Sequence, residues 1–125
     1  MILACDEDVG THVPQALQLV GLPVMSFKDL GLLGVADVTW LQQAGEKGWL
    51  VFSHNKRMLD VPRERRTMIE NHVGIVFLKS GFERRATVLR LILNKWDWLQ
   101  LVDASIPRPF AFFLPPKGRP VQKLG

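Results

Sequence analysis

The chain has 125 residues, 47% of them hydrophobic, and a formal net charge of +4. That is the size and apolar content of one ordinary domain, and no apolar run approaches the ~20 residues of a membrane span. Acids follow the first apolar residues directly with no basic leader before them, and the single cysteine, Cys5, excludes an internal disulfide. The expected location is therefore a reducing compartment, the cytoplasm, with no membrane partner.

The run Ile2 to Cys5 is a short apolar segment of the kind that forms a fully buried strand, and it ends in Asp6, Glu7 and Asp8. In an open parallel sheet the ligand crevice lies beyond the carboxyl ends of the strands, so these acids point into the expected site. Alternation at period two puts Asp6 and Asp8 on one face and Glu7 on the other. Two carboxylates that close call for a divalent cation, a shared proton or a cationic side chain. Cys5 reads as core filler.

Val13, Ala16, Leu17 and Val20 then fall at helical spacing, with Pro14 in the first turn and Gly21 at the end. Leu22 to Phe27 reads as a second strand. A glycine-punctuated loop from Lys28 to Gly34 leads into a helix that starts at Asp37, with Val38, Leu41 and Ala44 facing inward. Trp49 to Phe52 is a third, buried strand that ends in Ser53, His54 and Asn55. By strand parity Ser53 and Asn55 share a face, where both offer an oxygen to a metal or a hydrogen bond to a phosphate, and His54 points away.

Lys56 to Arg66 is a basic loop running into a helix from about Pro62 to Asn71, and Val73 to Leu78 is a fourth buried strand. Phe82 to Trp98 carries the longest helical pattern, with Val88, Leu91, Ile92 and Lys95 on one stripe and Arg84, Arg85 and Arg90 elsewhere. Trp96 and Trp98 are expected to cap the core or a partner surface. Pro109 to Leu114 alternates like an edge strand, and the residues after it, about 115–125, read as a loose tail.

Strand and helix alternate throughout, which predicts an α/β domain with a mostly parallel sheet and helices on both faces, spanning residues 1–125 as a single unit. Glycine-rich phosphate loops, paired Cys/His zinc spacings and a nucleophile elbow at Ser53 are absent. Charge is divided unevenly: residues 1–55 sum to −4 and residues 56–125 to +8. An acidic pocket beside a basic surface suits a polyanion, with Lys56, Arg57, Arg63, Arg65 and Arg66 as the nucleic-acid contacts.

Asp6 at the end of the first strand, Asp37 after a glycine-rich loop in Gly34-Val35-Ala36-Asp37, and Ser53-His54-Asn55 at the end of the third strand together resemble the PIN-like nucleases, and more closely the short bacterial proteins of that kind. The resemblance implies a three-layer α/β/α domain that binds Mg2+ or Mn2+ and hydrolyses phosphodiesters, a ribonuclease cutting single-stranded RNA, in many members the toxin of a toxin–antitoxin pair. It admits an antitoxin protein or a second copy of the chain as partner. Carried over by position, Asp6 and Asp37 take metal-binding acid places and Asn55 a third, these three being the catalytic residues with Ser53 supporting, while Asp8 adds a metal-binding carboxylate on the same side. Asn55 stands where the family usually has Asp, and a neutral ligand weakens a magnesium site. This departure leaves a second reading open, a PIN-like domain that binds RNA or a partner without cutting. A receiver-like phosphoacceptor domain also gathers acids after its first strand, but it expects an Asp where this chain has Asn55.

Overall fold

A computed structural model describes residues 1–79 and 84–125. Five strands are parallel: β1 (Leu3–Cys5), β2 (Val24–Ser26), β3 (Leu50–Ser53), β4 (Gly74–Leu78) and β5 (Phe110–Leu114). A sixth, β6 (Val121–Leu124), lies antiparallel to β5, and the order across the sheet is β2-β1-β3-β4-β5-β6. The helices are α1 (His12–Leu19), α2 (Asp37–Lys47), α3 (Pro62–Glu70), α4 (Arg85–Asn94) and α5 (Trp96–Ser105), and tight 3-10 turns span Glu7–Val9 and Lys56–Asp60.

The strands are buried on both faces, which is why they read as continuous apolar runs rather than alternating ones. Period-two geometry deals their side chains to two cores. Leu3, Cys5, Leu50, Phe52, Val76 and Leu78 pack with Val13 and Leu17 of α1, Val88, Leu91 and Ile92 of α4, and Leu99 and Val102 of α5. Ala4, Val51, Ile75 and Phe77 pack on the other side with Trp40, Leu41 and Ala44 of α2 and Met68 of α3. The expected three-layer α/β/α architecture is the observed one.

Progress across the sheet reverses between β1 and β3: the chain goes outward to β2, then returns past β1 to β3. At such a reversal the loops leaving two neighbouring strands diverge to opposite faces and open a crevice. The connection from β4 to β5 moves in the same direction as that from β3 to β4, yet its helices lie on the opposite face. Its hand is therefore opposite to that of the three earlier crossovers, a departure from the usual rule. Short α1 lies in the same core as α4 and α5, and these two bring the apolar residues that meet Val76, Leu78 and Phe112 on that face.

Three expectations are corrected here. The single helix predicted over Phe82 to Trp98 is two helices that meet at Lys95, whose φ of −102° and ψ of 8° leave helical geometry. Phe82 itself lies outside the described residues. The bend lets both helices turn their apolar residues onto one core, with Trp96 and Trp98 packed against it and Trp98 edge-to-face with Phe112 at 5.2 Å. Second, β5 is not an edge strand, because β6 pairs with it. Third, the stretch read as a loose tail carries β6, although Val121, Gln122 and Lys123 remain exposed.

Gly74 shows how tightly β4 and β5 meet. A Cβ there would lie 2.5 Å from Cζ of Phe110, a fully buried ring. Gly74→Ala is expected to cost ~1–3 kcal/mol by overpacking. In a Phe110→Ala background the same change should cost almost nothing, a non-additivity that urea melts of the four-member cycle would measure.

Candidate active site

The site is built where β1 and β3 end side by side. The ladder between them runs one step past β1, with the Asp6 amide donating to the Phe52 carbonyl at 2.9 Å. The chain then tightens into the turn Glu7–Val9. Asp6 caps that turn, its Oδ1 accepting from the Glu7 amide at 2.7 Å. On the neighbouring strand Ser53 is fully buried, and its hydroxyl donates to Asp6 Oδ2 at 2.8 Å, with Asp8 Oδ2 at 3.3 Å. A hydroxyl has one proton to give, so the shorter bond to Asp6 takes it. Asp8 is held instead by the His54 amide, 3.1 Å from Oδ1 and 3.2 Å from Oδ2. The Asn55 amide donates back to Ser53 Oγ at 3.0 Å and so completes a turn around the serine.

Asp37 is the first residue of α2. The residue before it, Ala36, offers no side-chain cap, and Asp37 accepts from Trp40 Nε1 at 2.8 Å. Asp6, Asp8, Asp37 and Asn55 line one cleft of about 610 Å3, with Lys56 and Arg57 at its wall. Trp40 and Phe27, 5.1 Å apart and edge-to-face, also line it from the α2 side.

Electrostatics mark the acids as strained. Asp6 is pushed up to about 6, first by burial and next by the charge of Asp8, with a smaller push from Asp37; the bonds from Ser53 and Glu7 work against this. Asp8 is also raised, by burial above all, against the pull of the His54 amide and imidazole. Among the described residues no Lys or Arg forms an ion pair with Asp6, Asp8 or Asp37. The donor chemistry therefore fits a divalent cation, which would relieve two carboxylates forced together. The geometry is less complete: among the described residues no three His, Cys, Asp or Glu side chains stand close enough to hold one ion together. Asp6 and Asp8 make a pair, and Asp37 shares their cleft while bonded to Trp40.

Parity failed where the strands stop. Glu7 and His54, placed on the far faces by alternation, both line the cleft, because the chain has left the strand and begun to turn before it reaches either of them. The Glu7 carboxylate accepts from the Gly34 amide and ties the glycine loop to the acid turn; Gly34 there has φ of +72°, a conformation that favours glycine. Of the five basic residues expected at nucleic acid, Lys56 and Arg57 line the cleft, and Arg63 lines a neighbouring hollow with Asp37 and Glu64. Arg65 and Arg66, further along α3, line neither.

Glu64 was missed by sequence reasoning. Its carboxyl is raised by partial burial and then by contact with Asp37. Only its place on α3, whose helix packs beside α2, brings it there, and no spacing in the sequence signals it.

The family model described as a PIN-like domain matches residues 1–80. The chain belongs to the PIN-like domain family. No curated protein and no solved structure matches it significantly. The matched part of this PIN-like domain runs through β4 and contains Asp6, Asp8, Asp37, Ser53 and Asn55, whereas α4, α5, β5 and β6 lie beyond it. The family is of nuclease type, and its domains commonly act on RNA. No helix of the described residues is long and apolar enough to cross a membrane.

The raised Asp6 fixes a pH dependence. Its folded pKa of about 6 lies above the ~3.9 of a free carboxyl, so the folded state holds the proton more tightly. Stability from this group is full below ~4 and is lost as pH rises through about 6. Asp6→Asn should therefore stabilise the fold at pH 7, by on the order of 1 kcal/mol after discounting for partial exposure, and flatten the slope of stability between pH ~4 and ~6. Urea melts across that range check it, and equal slopes in the two proteins would count against the assignment.

Proposed function

We propose that this PIN-like domain is a metal-dependent ribonuclease that hydrolyses phosphodiester bonds in single-stranded RNA. The observation that carries the reading is the Asp6 and Asp8 pair, held side by side at the sheet's reversal point by the Ser53 hydroxyl and the His54 amide and lining the same cleft as Asp37. Mg2+ or Mn2+ is the cation such hard oxygen donors take, with Asp6 and Asp8 as its primary ligands, Asp37 as the third acid and Asn55 as a neutral oxygen. Bound there, it would activate water and neutralise charge on the phosphate. The chain's own residues do the rest. Ser53 fixes the Asp6 carboxylate by its hydroxyl, and the His54 amide fixes Asp8. Lys56 and Arg57 draw the phosphate backbone to the cleft wall.

A second reading, a PIN-like domain that binds RNA without cutting, is favoured by two observations: no group of three metal-binding side chains among the described residues, and Asn55 in a place expected to hold an acid. Two variants separate them. In the nuclease, Mn2+ raises the melting temperature of the wild type, and Asp6→Asn abolishes both that shift and cleavage of an RNA oligonucleotide. Asn55→Asp adds a charged ligand and should tighten Mn2+ by calorimetry, with cleavage equal or faster. Absence of cleavage in every form, with no thermal response to Mn2+, would give the protein to the second reading.

A further inference from the structure

The acid cleft does not end at Asp8. A second hollow of about 260 Å3 adjoins it and shares Glu7, Asp8 and His54. Its remaining wall comes from Val9 and Gly10 just before α1, from Val13 of α1, and from Arg85 and Val88 of α4. The two spaces lie on different sides of the sheet. The larger is walled by Asp37 and Trp40 of α2, in the layer of α2 and α3, and the smaller by α1 and α4, in the opposite layer. Asp8 stands on the ridge between them, at the carboxyl edge of the sheet.

Basic groups stand on both sides of that ridge. Lys56 and Arg57 line the larger space and Arg85 the smaller. Arg85 is exposed, and among the described residues it forms no ion pair. A polyanion laid across Asp6 and Asp8 meets repulsion at the centre, so cations on one side alone would hold only one arm of it. Cations on both sides hold a phosphate before the acids and a phosphate after them.

We infer that Arg85 is a phosphate contact on the far side of the acid pair from Lys56 and Arg57, so that a single RNA strand crosses the carboxyl edge of the sheet from the α2/α3 layer to the α1/α4 layer and is engaged internally rather than by an end. This rests on the ribonuclease reading for the identity of the strand, but the contact is tested without catalysis. Arg85 lies outside the part of the chain that matches the family, so its role belongs to this chain's own C-terminal half.

The experiment is binding of a fluorescent six-nucleotide RNA in EDTA, read by anisotropy at several salt concentrations. Arg85→Ala should weaken binding about three- to tenfold and lower the salt slope by about 0.7, the value for one fewer phosphate neutralised on a single strand. Arg85→Lys should restore the slope. Lys47→Ala removes one charge at the far end of α2 and should match the wild type, which separates a local contact from net charge. Thermal melts of each variant exclude misfolding. Equal affinity for Arg85→Ala and Lys47→Ala would overturn the inference, as would a wild type that binds no hexamer in EDTA. The nuclease reading is judged apart from this, by Mn2+-dependent cleavage in the wild type, so either can fail while the other stands.

Discussion

Ser53 has one hydroxyl proton and two carboxylates beside it, and the arrangement of the site follows from how that shortage is met. The serine is fully buried because it is the last residue of β3, a strand covered on both faces. Its position beside Asp6 depends on the parallel pairing of β1 with β3, and therefore on the reversal of chain direction that makes these two strands neighbours. With its proton given to Asp6, Asp8 must be satisfied from the backbone, which is why the chain turns at His54 and presents that amide. Asn55 then closes onto the serine oxygen and starts the turn that carries Lys56 and Arg57 to the cleft wall. A packing decision made by apolar strands thus sets the order of acids and bases around one hydroxyl.

The strands were legible because burial on both faces leaves nothing but apolar residues in them, and the acids were legible because they interrupt those runs at the ends that face a crevice. What the pattern could not supply was geometry beyond the last ladder bond. Strand parity was extended to Glu7 and His54, but the backbone leaves the strand at Asp6 and at Ser53, and both residues turn into the cleft. Glu64 and Arg85 were out of reach for a different reason. Glu64 sits on a helix read for its basic residues and Arg85 lies off the apolar stripe of its own, and each comes to the site only through the layer in which its helix packs.

The C-terminal half was the less legible one. The apolar stripe of α4 and α5 is continuous in register, so it read as one helix, while the core demanded a bend at Lys95. β6 has no stripe at all: three of its four residues are exposed, and it is held by ladder bonds to β5 rather than by a buried face. Such a strand has no hydrophobic signal to read. Its presence matters to the sheet, because it covers the edge that β5 would otherwise expose.

The acid pair is costly, and its cost is informative. Asp6 accepts one bond from a hydroxyl and one from an amide, and bonds to an ionised group are worth ~1.5–3 kcal/mol each, so on hydrogen bonding alone its carboxylate would be strongly favoured. Its pKa nevertheless rises to about 6, which means that burial and the neighbouring charge outweigh both bonds. The fold could have relieved this with an arginine, as it does at Asp103, where Arg108 pairs with the carboxylate while also bonding the Trp49 carbonyl. Among the described residues it places Lys56, Arg57 and Arg85 around the acids without pairing any of them to Asp6 or Asp8. Charges left undercompensated at the centre with unpaired cations at the margins form a surface whose electrostatics are completed from outside, by a cation in the middle and an anion along the rim.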